Sequence, residues 1–446
     1  MQSGLPYSGG YLAVFIFETY KKNMNRVIMK TGMMMAMAAF ISLGLSSCSD
    51  DNNENQGTEN VQSVNEQKME AITQQYVSNT IYKTYAAIAD ATDQLYTQLA
   101  NVADRFKANP ESVSQSDIDK ICSTFLTARE EWEKSEAFLY GAATDFGIDP
   151  HIDTWPLDAD GLATALKNAD QVAKLEGEDG IAYAGGKLGQ ELLGFHGIEF
   201  IIFRDGANRK IADLRAEETN EAFTKIGAHV TGLQELIYAT AVAGDLRDRC
   251  FQMEVAWNAD APQRHIDRVE EVELPFTVNG GSKSYGENML AAGKAGSTYA
   301  SWQEVMVTIL QAGCENIANE VANTKIGNPY SGEDVNYIES PYSHKSFVDF
   351  RDNILSIENT LYGGRKGDGR DTSKSIIQYM KDNSYSSLSS LETAVTEAIA
   401  ALEKCQSTLG SFVENVNNPL VGEAQKKVQT LDDELVKAAE WFATQK

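Results

Sequence analysis

Apolar residues recur every three to four positions along most of this chain, the period of a helix buried on one face. From about Val64 to Lys107 the run has few breakers and stops before Asn109-Pro110, where proline restricts the residue ahead of it and withholds a backbone donor. In "SQSDIDKICSTFLTAREEWEKSEAFLYG", Ser116 three residues before Asp119 reads as a capping box, and Gly141 as the left-handed stop. The same period places helices at roughly 184–204, 215–245, 288–324, 346–362, 385–413 and 421–444. "EGEDG", "NGGSKSYGE" and "GGRKGDGRDTS" are loops by composition, and "VEEVELPFTVNGG" is the one stretch that suits a strand. The pattern predicts an all-α fold.

The chain also repeats itself. Residues 125–141, "FLTAREEWEKSEAFLYG", match residues 347–363, "FVDFRDNILSIENTLYG", at a constant offset of 222. The pairs Phe125/Phe347, Arg129/Arg351, Glu136/Glu358, Leu139/Leu361, Tyr140/Tyr362 and Gly141/Gly363 are identical. Chance amphipathic likeness accounts for the apolar matches, but less well for Arg and Glu at one spacing. The repeat predicts two related helical bundles packed face to face: residues 63–258, then a linker over 259–287, then 288–446. On one helix Arg129 and Glu136 fall on the same side, two turns apart. The bundle interface is the natural place for a pocket.

One helix carries chemistry in a dry setting. "GFHGIEFIIF", Gly194 to Phe203, is apolar on nearly every side, yet His196 and Glu199 share a face at i and i+3. Gly194 and Gly197 weaken that helix by roughly 1 kcal/mol each, which points to close approach by a neighbour. A buried carboxylate without a partner either protonates or destabilises the fold. Three partners answer that need: an arginine, with Arg129 the obvious candidate; a metal ion, with Glu136 as a further ligand; or a small ligand. Imidazole with carboxylate suits iron or zinc. A zinc peptidase would present H-E-x-x-H or H-x-x-E-H, and neither is completed here, because Phe200 follows Glu199. His151, in "DPHIDTWP", is a candidate to arrive through space.

The N-terminus is an address. Lys21, Lys22, Arg26 and Lys30 precede "TGMMMAMAAFISLGL", short for a membrane span but apt for a signal-peptide core. "LSSC" at its end resembles a bacterial lipobox, which makes residues 1–47 a lipoprotein signal and Cys48 the lipidated residue. Residues 48–62 are rich in Asn, Asp and Glu and form a flexible tether. That acidic patch resembles the export signal that places lipoproteins on the outer face of Bacteroidetes cells. Loss of the signal takes the formal net charge from −26 to −29, a surface that repels nucleic acid. Cys122, Cys250, Cys314 and Cys405 lie far apart with no C-x-x-C. They can pair in an oxidising compartment or serve as core thiols.

"GFHGIEF" resembles the G-x-H-x-x-E signature of the imelysin family (peptidase M75). "REEWEKSEAFLYG", "IDTWPLD", "HGIEFIIFRDG", "GCENIANEV", "ESPYSHKS" and "DFRDNILSIENTLYGG" extend the likeness along most of the chain. The resemblance implies two related helical bundles with the signature near their interface, and assigns Gly194, His196 and Glu199 to the functional site. Arg129, Glu136, Asp153 and Trp155 are candidates beside it, and Ser340 and Ser343 are candidates from the second bundle. The family includes proteins described as secreted proteases and others serving iron uptake. The expectation is therefore an outer-membrane lipoprotein, anchored in the cell envelope and surface-exposed. It binds iron (zinc being the alternative) or an iron-bearing ligand through His196, Glu199 and Glu136, and works with an outer-membrane transport partner. The rivals are a metallopeptidase with Glu199 acting on water, and a metal-free interaction module.

Overall fold

Ser63 opens the first helix by a reciprocal cap: its hydroxyl accepts from the Glu66 amide and its own amide donates to Glu66 Oε2. Residues 63–445 are those described in this computed structural model; the signal, Cys48 and the tether lie outside them. Helix α1 runs Val64–Gln75 and Tyr82–Ala108 through a π-helical turn at Tyr76–Ile81. Helix α2, Gln115–Glu133, is capped by Ser114, two residues before the expected cap, because Asp117 Oδ2 accepts from both the amide and the hydroxyl of Ser114. It also ends well before Gly141. Tertiary partners claim the backbone that follows: Ser356 Oγ accepts from the Ala137 amide, and Tyr85 Oη donates to the Phe138 carbonyl. Glu136 therefore sits in a 3-10 turn, Glu136–Phe138, not on the face of Arg129.

Four further expectations shift for similar reasons. The expected 184–204 helix breaks at Gly194, whose φ is +65°, leaving α3 as Gly194–Ile202. Helix α4 is Gly232–Trp257 rather than 215–245, since Thr231 and Gln234 form the cap that starts it. The expected 288–324 helix is interrupted at Gly293 and Gly296, both at positive φ. Helix α5 resumes as Trp302–Thr308 and Asn316–Glu320, with π-helical turns at Ile309–Glu315 and Val321–Lys325. "VEEVELPFTVNGG" is not a strand: part of it ends the Gln263–Glu271 helix, and Leu274 and Phe276 pack on Val255 and Val269. The described strands are a two-residue hairpin, Phe203–Arg204 against Ala207–Asn208. Helices α6 (Ser346–Tyr362), α7 (Leu388–Leu409) and α8 (Pro419–Phe442) fall where the period put them. Gly363, at φ +81°, closes α6 in the left-handed conformation.

The fold is all-α, in two groups of helices. In the first, α1 packs on α2 and α4, and α3 packs on α4; in the second, α8 packs on α7 and α5, and α6 on α7. Several contacts join them, among them the turn Glu136–Phe138 against Ile309–Glu315 of α5. Helix α2 packs on α6, bringing the repeated segments face to face, and Val64–Gln75 of α1 packs on Trp302–Thr308 of α5. The first helix serves both groups, so the described residues form a single compact unit. Cys122, Cys250, Cys314 and Cys405 are free and buried in helices, as core thiols rather than disulfides.

A buried arginine anchors the exit of α3. Arg209 donates to Glu235 of α4 through both terminal nitrogens (2.6 and 3.0 Å), to Glu218 (2.6 Å) and to the Ile201 carbonyl (3.2 Å). Removing one partner of a buried ion pair costs about 3–5 kcal/mol, because the other charge is stranded. Arg209→Ala is expected to lower stability by that amount, measured by chemical denaturation; a loss below about 1 kcal/mol would mean that the pair does not anchor α3.

Candidate functional site

Helix α3 is pressed against its neighbours where it has no side chains. A Cβ on Gly194 would lie 1.8 Å from the Ile152 carbonyl oxygen, and one on Gly197 would lie 2.3 Å from Tyr238 Oη. The first contact sets α3 against the segment that carries Asp153; the second sets it against α4. His196 and Glu199, 2% and 1% exposed, are thereby held in the interior. His196 Nε2 lies 3.1 Å from Asp153 Oδ1, without the alignment of a hydrogen bond, and Nδ1 faces Glu199 Oε2 at 3.5 Å. The Trp155 ring stands beside the imidazole, their centroids 6.0 Å apart.

Arg129 organises the acids around this histidine. Its guanidinium pairs with Asp153, with Glu133 (2.5 Å) and with Glu339 (2.6 Å), and lies 3.9 Å from Asp349. The Phe195 ring of α3 packs beneath it at 5.2 Å. Asp153 Oδ2 accepts from Trp132 Nε1 at 2.7 Å. Lys325, at the end of the second π turn, adds a cation 3.1 Å from Glu339 and 3.7 Å from Glu133. Glu133 also accepts from Asn353 of α6. Cation and acids cross the bundle interface, as expected for a shared site.

Arg129 is not the partner of Glu199. That carboxylate accepts from the amide (2.8 Å) and hydroxyl (2.7 Å) of Ser343, while its Oε2 has no hydrogen bond. Ser343 thus joins the cluster, and Ser340 lies in the same loop at positive φ. Glu136 does not join His196 and Glu199; shifted by the early end of α2, it faces Glu133 and Asp153. His151 goes elsewhere, 2.7 Å from Asp245. Sequence reading missed Glu133, Lys325, Glu339 and Asp349. Glu339 opens the quoted stretch "ESPYSHKS" and Glu133 lies one turn after Arg129, so both carried a signal; Lys325 carried none.

Two sets of donors are spaced for a cation: Asp153, His196 and Glu339, and Glu133, Glu136 and Asp153, with the ligand atoms of each set within 4.8 Å of one another. In the first set His196 Nε2 and Glu339 Oε2 have no hydrogen bond. Nitrogen with carboxylate oxygens suits a divalent transition metal, so these residues fit one. The field of the cluster is uneven. Burial works against charge on His196, yet Asp153 and Glu199 push its pKa up to about 9. Burial alone would raise Asp153, but Arg129 and His196 hold it well below the usual carboxylate range. Burial pushes Glu339 up to about 7 against the pull of Lys325, and raises Asp349 and Glu136, with Glu133 adding to each.

Comparison with known proteins agrees with this architecture. The sequence profile of the imelysin family (peptidase M75) matches residues 81–440. The iron-regulated protein A of Synechococcus elongatus is 24% identical over 296 residues, which is 66% of this chain and 65% of that protein. The matched region thus spans less than two thirds of that relative. Among solved structures, a candidate iron-regulated protein A precursor from Parabacteroides distasonis superposes with a TM-score of 0.64 at 23% identity, over 86% of this chain and 97% of its own. An imelysin-like protein from Psychrobacter arcticum gives a TM-score of 0.52 at 12% identity, over 84% and 95%. At these identities the two structures speak for the fold.

Gly194 is a direct check on the packing that builds the site. Gly194→Ala combines a strained left-handed backbone with a clash against the Ile152 carbonyl, each costing about 1–3 kcal/mol. The variant is expected to unfold at a clearly lower temperature in a calorimetric scan. An unchanged melting temperature would contradict the close approach.

Proposed function

The chain belongs to the imelysin family, and from that premise we propose that it binds a metal ion, iron foremost, at the Asp153–His196–Glu339 set, in the service of iron acquisition. The observation that carries this reading is the unsatisfied His196 Nε2 converging with two buried carboxylates. The relatives named as iron-regulated support the choice of iron over zinc. Glu199 has a supporting part. A metal-bound imidazole keeps its ring orientation when its other nitrogen meets a carboxylate, and Glu199, held by Ser343, stands opposite Nδ1. The H-x-x-E pair then divides into a ligand and the group that aims it.

Binding fits this geometry better than peptide hydrolysis. His196, Asp153 and Glu339 are 2%, 3% and 1% exposed, too deep for a peptide chain. Glu199, the one candidate base, spends one oxygen on Ser343. In protein purified from iron-limited cells, elemental analysis is expected to find stoichiometric iron in wild type and the loss of at least one ion per chain in His196→Ala, with helical content unchanged. Equal metal in both would overturn the assignment.

The same reading puts the protein at the cell envelope, tethered to the outer membrane through lipidated Cys48 and passing iron to an outer-membrane transport partner. The basic and apolar segment ending in "LSSC" supports it, and no described helix is long and apolar enough to cross a membrane. Cys48→Ser is expected to abolish incorporation of labelled fatty acid and to move the protein from the membrane to the soluble fraction. Continued labelling would refute the assignment of Cys48.

A further inference from the structure

We propose that the cluster holds two divalent cations rather than one, the second among Glu133, Glu136 and Asp153, with Asp153 bridging the pair. The proposal rests on the reading just given for the first ion. Three observations carry it.

The first is spacing. The donor atoms of Glu133, Glu136 and Asp153 lie within 4.8 Å of one another, as do those of Asp153, His196 and Glu339, and Asp153 is common to both. Oxygen ligands at about 2.0–2.2 Å from an ion stand roughly 3–4 Å apart, so modest side-chain adjustment closes each set. A carboxylate shared between two ions is a recurrent arrangement inside helical bundles, where facing helices supply the ligands.

The second is Glu136 itself. It is 7% exposed, and among the described residues no hydrogen bond or ion pair reaches its carboxylate. The other acids of the cluster each have a donor or a paired cation: Asn353 and Arg129 for Glu133, Trp132 and Arg129 for Asp153, Lys325 and Arg129 for Glu339, Ser343 for Glu199, and Arg129 at 3.9 Å for Asp349. Glu136 is aimed at two more carboxylates instead. A buried acid in that position is costly unless a cation or a proton accompanies it.

The third is charge. Six carboxylates, those of Glu133, Glu136, Asp153, Glu199, Glu339 and Asp349, meet two permanent cations, Arg129 and Lys325. At least four negative charges remain when all are ionised, before the nearby Asp149 and Glu320 are added, an excess that bound cations relieve. The all-oxygen second set suits a hard ion such as Mn²⁺ or Fe²⁺. Asp149 and Glu320, both partly exposed, act on Glu136 through their charge.

Mn²⁺ is the probe, because its electron spin reports on a neighbour. Equilibrium dialysis of the purified protein under anaerobic conditions, with elemental analysis and low-temperature electron paramagnetic resonance, gives stoichiometry and coupling together. The expected result is two ions per chain with an exchange-coupled spectrum in wild type, and one ion with an uncoupled six-line spectrum in Glu136→Gln. That isosteric change removes a buried unpaired acid, and circular dichroism verifies its fold. One ion in wild type, or two ions unaffected by Glu136→Gln, overturns the second site while leaving the first. No bound ion in wild type overturns the metal reading as a whole.

Discussion

A guanidinium in a dry interior constrains everything around it. Arginine does not give up its proton, so Arg129, 2% exposed, obliges the fold to bring acids to it. Asp153 comes from the segment before α3, Glu133 from one turn further along α2, and Glu339 from the loop that precedes α6. The pairs with Asp153 and Glu339 tie α2 to segments distant in sequence, on the side where α2 packs on α6. With Phe195 stacked beneath it, the same side chain also locates the helix that carries His196. The candidate site is arranged around this cation.

Closure of the site depends on a short stretch of unusual backbone. The loop ahead of α6 turns through Ser340 and His344, both at positive φ without being glycine, a conformation that costs of order 1–3 kcal/mol and persists only when surroundings enforce it. Here Ser343 donates to Glu199, Ser346 donates to the Glu339 carbonyl, and the Gly206 amide donates to the Tyr342 carbonyl at 3.0 Å. The residues that seal the cluster are also those that supply Glu339, so closing the loop and completing the ligand set are one event. Trp155 and Tyr337, with ring centroids 5.3 Å apart, close the adjoining side.

Much of this was written in local pattern. The period of α1, α6 and α8, the repeat with its Arg and Glu, and the anomaly of His196 and Glu199 in an apolar helix all rest on residues near one another in the chain. The glycines flanking His196 signalled close approach, and Ile152 and Tyr238 provide it. What escaped was set by partners remote in sequence. Helix α2 stops early because Ser356 and Tyr85 take up the backbone after it, and this moved Glu136 from one set of donors to another. Lys325 reaches the acids through π-helical turns that shift its register, and no helical wheel drawn at a constant period would place it there. Asp153 was named only as a polar candidate beside the signature, whereas its importance comes from meeting Arg129, Trp132 and His196 together.

The two matching segments have not kept matching work. Arg129 turns inward to three acids, whereas its counterpart Arg351 pairs with its own neighbour Asp352 nearer the surface. Equal halves would own two equivalent centres or none; this chain has a single lopsided one, with Arg129 from the first matching segment and Lys325 and Glu339 from the second half. Neither half is self-sufficient, since either alone would keep charges whose counterparts left with the other.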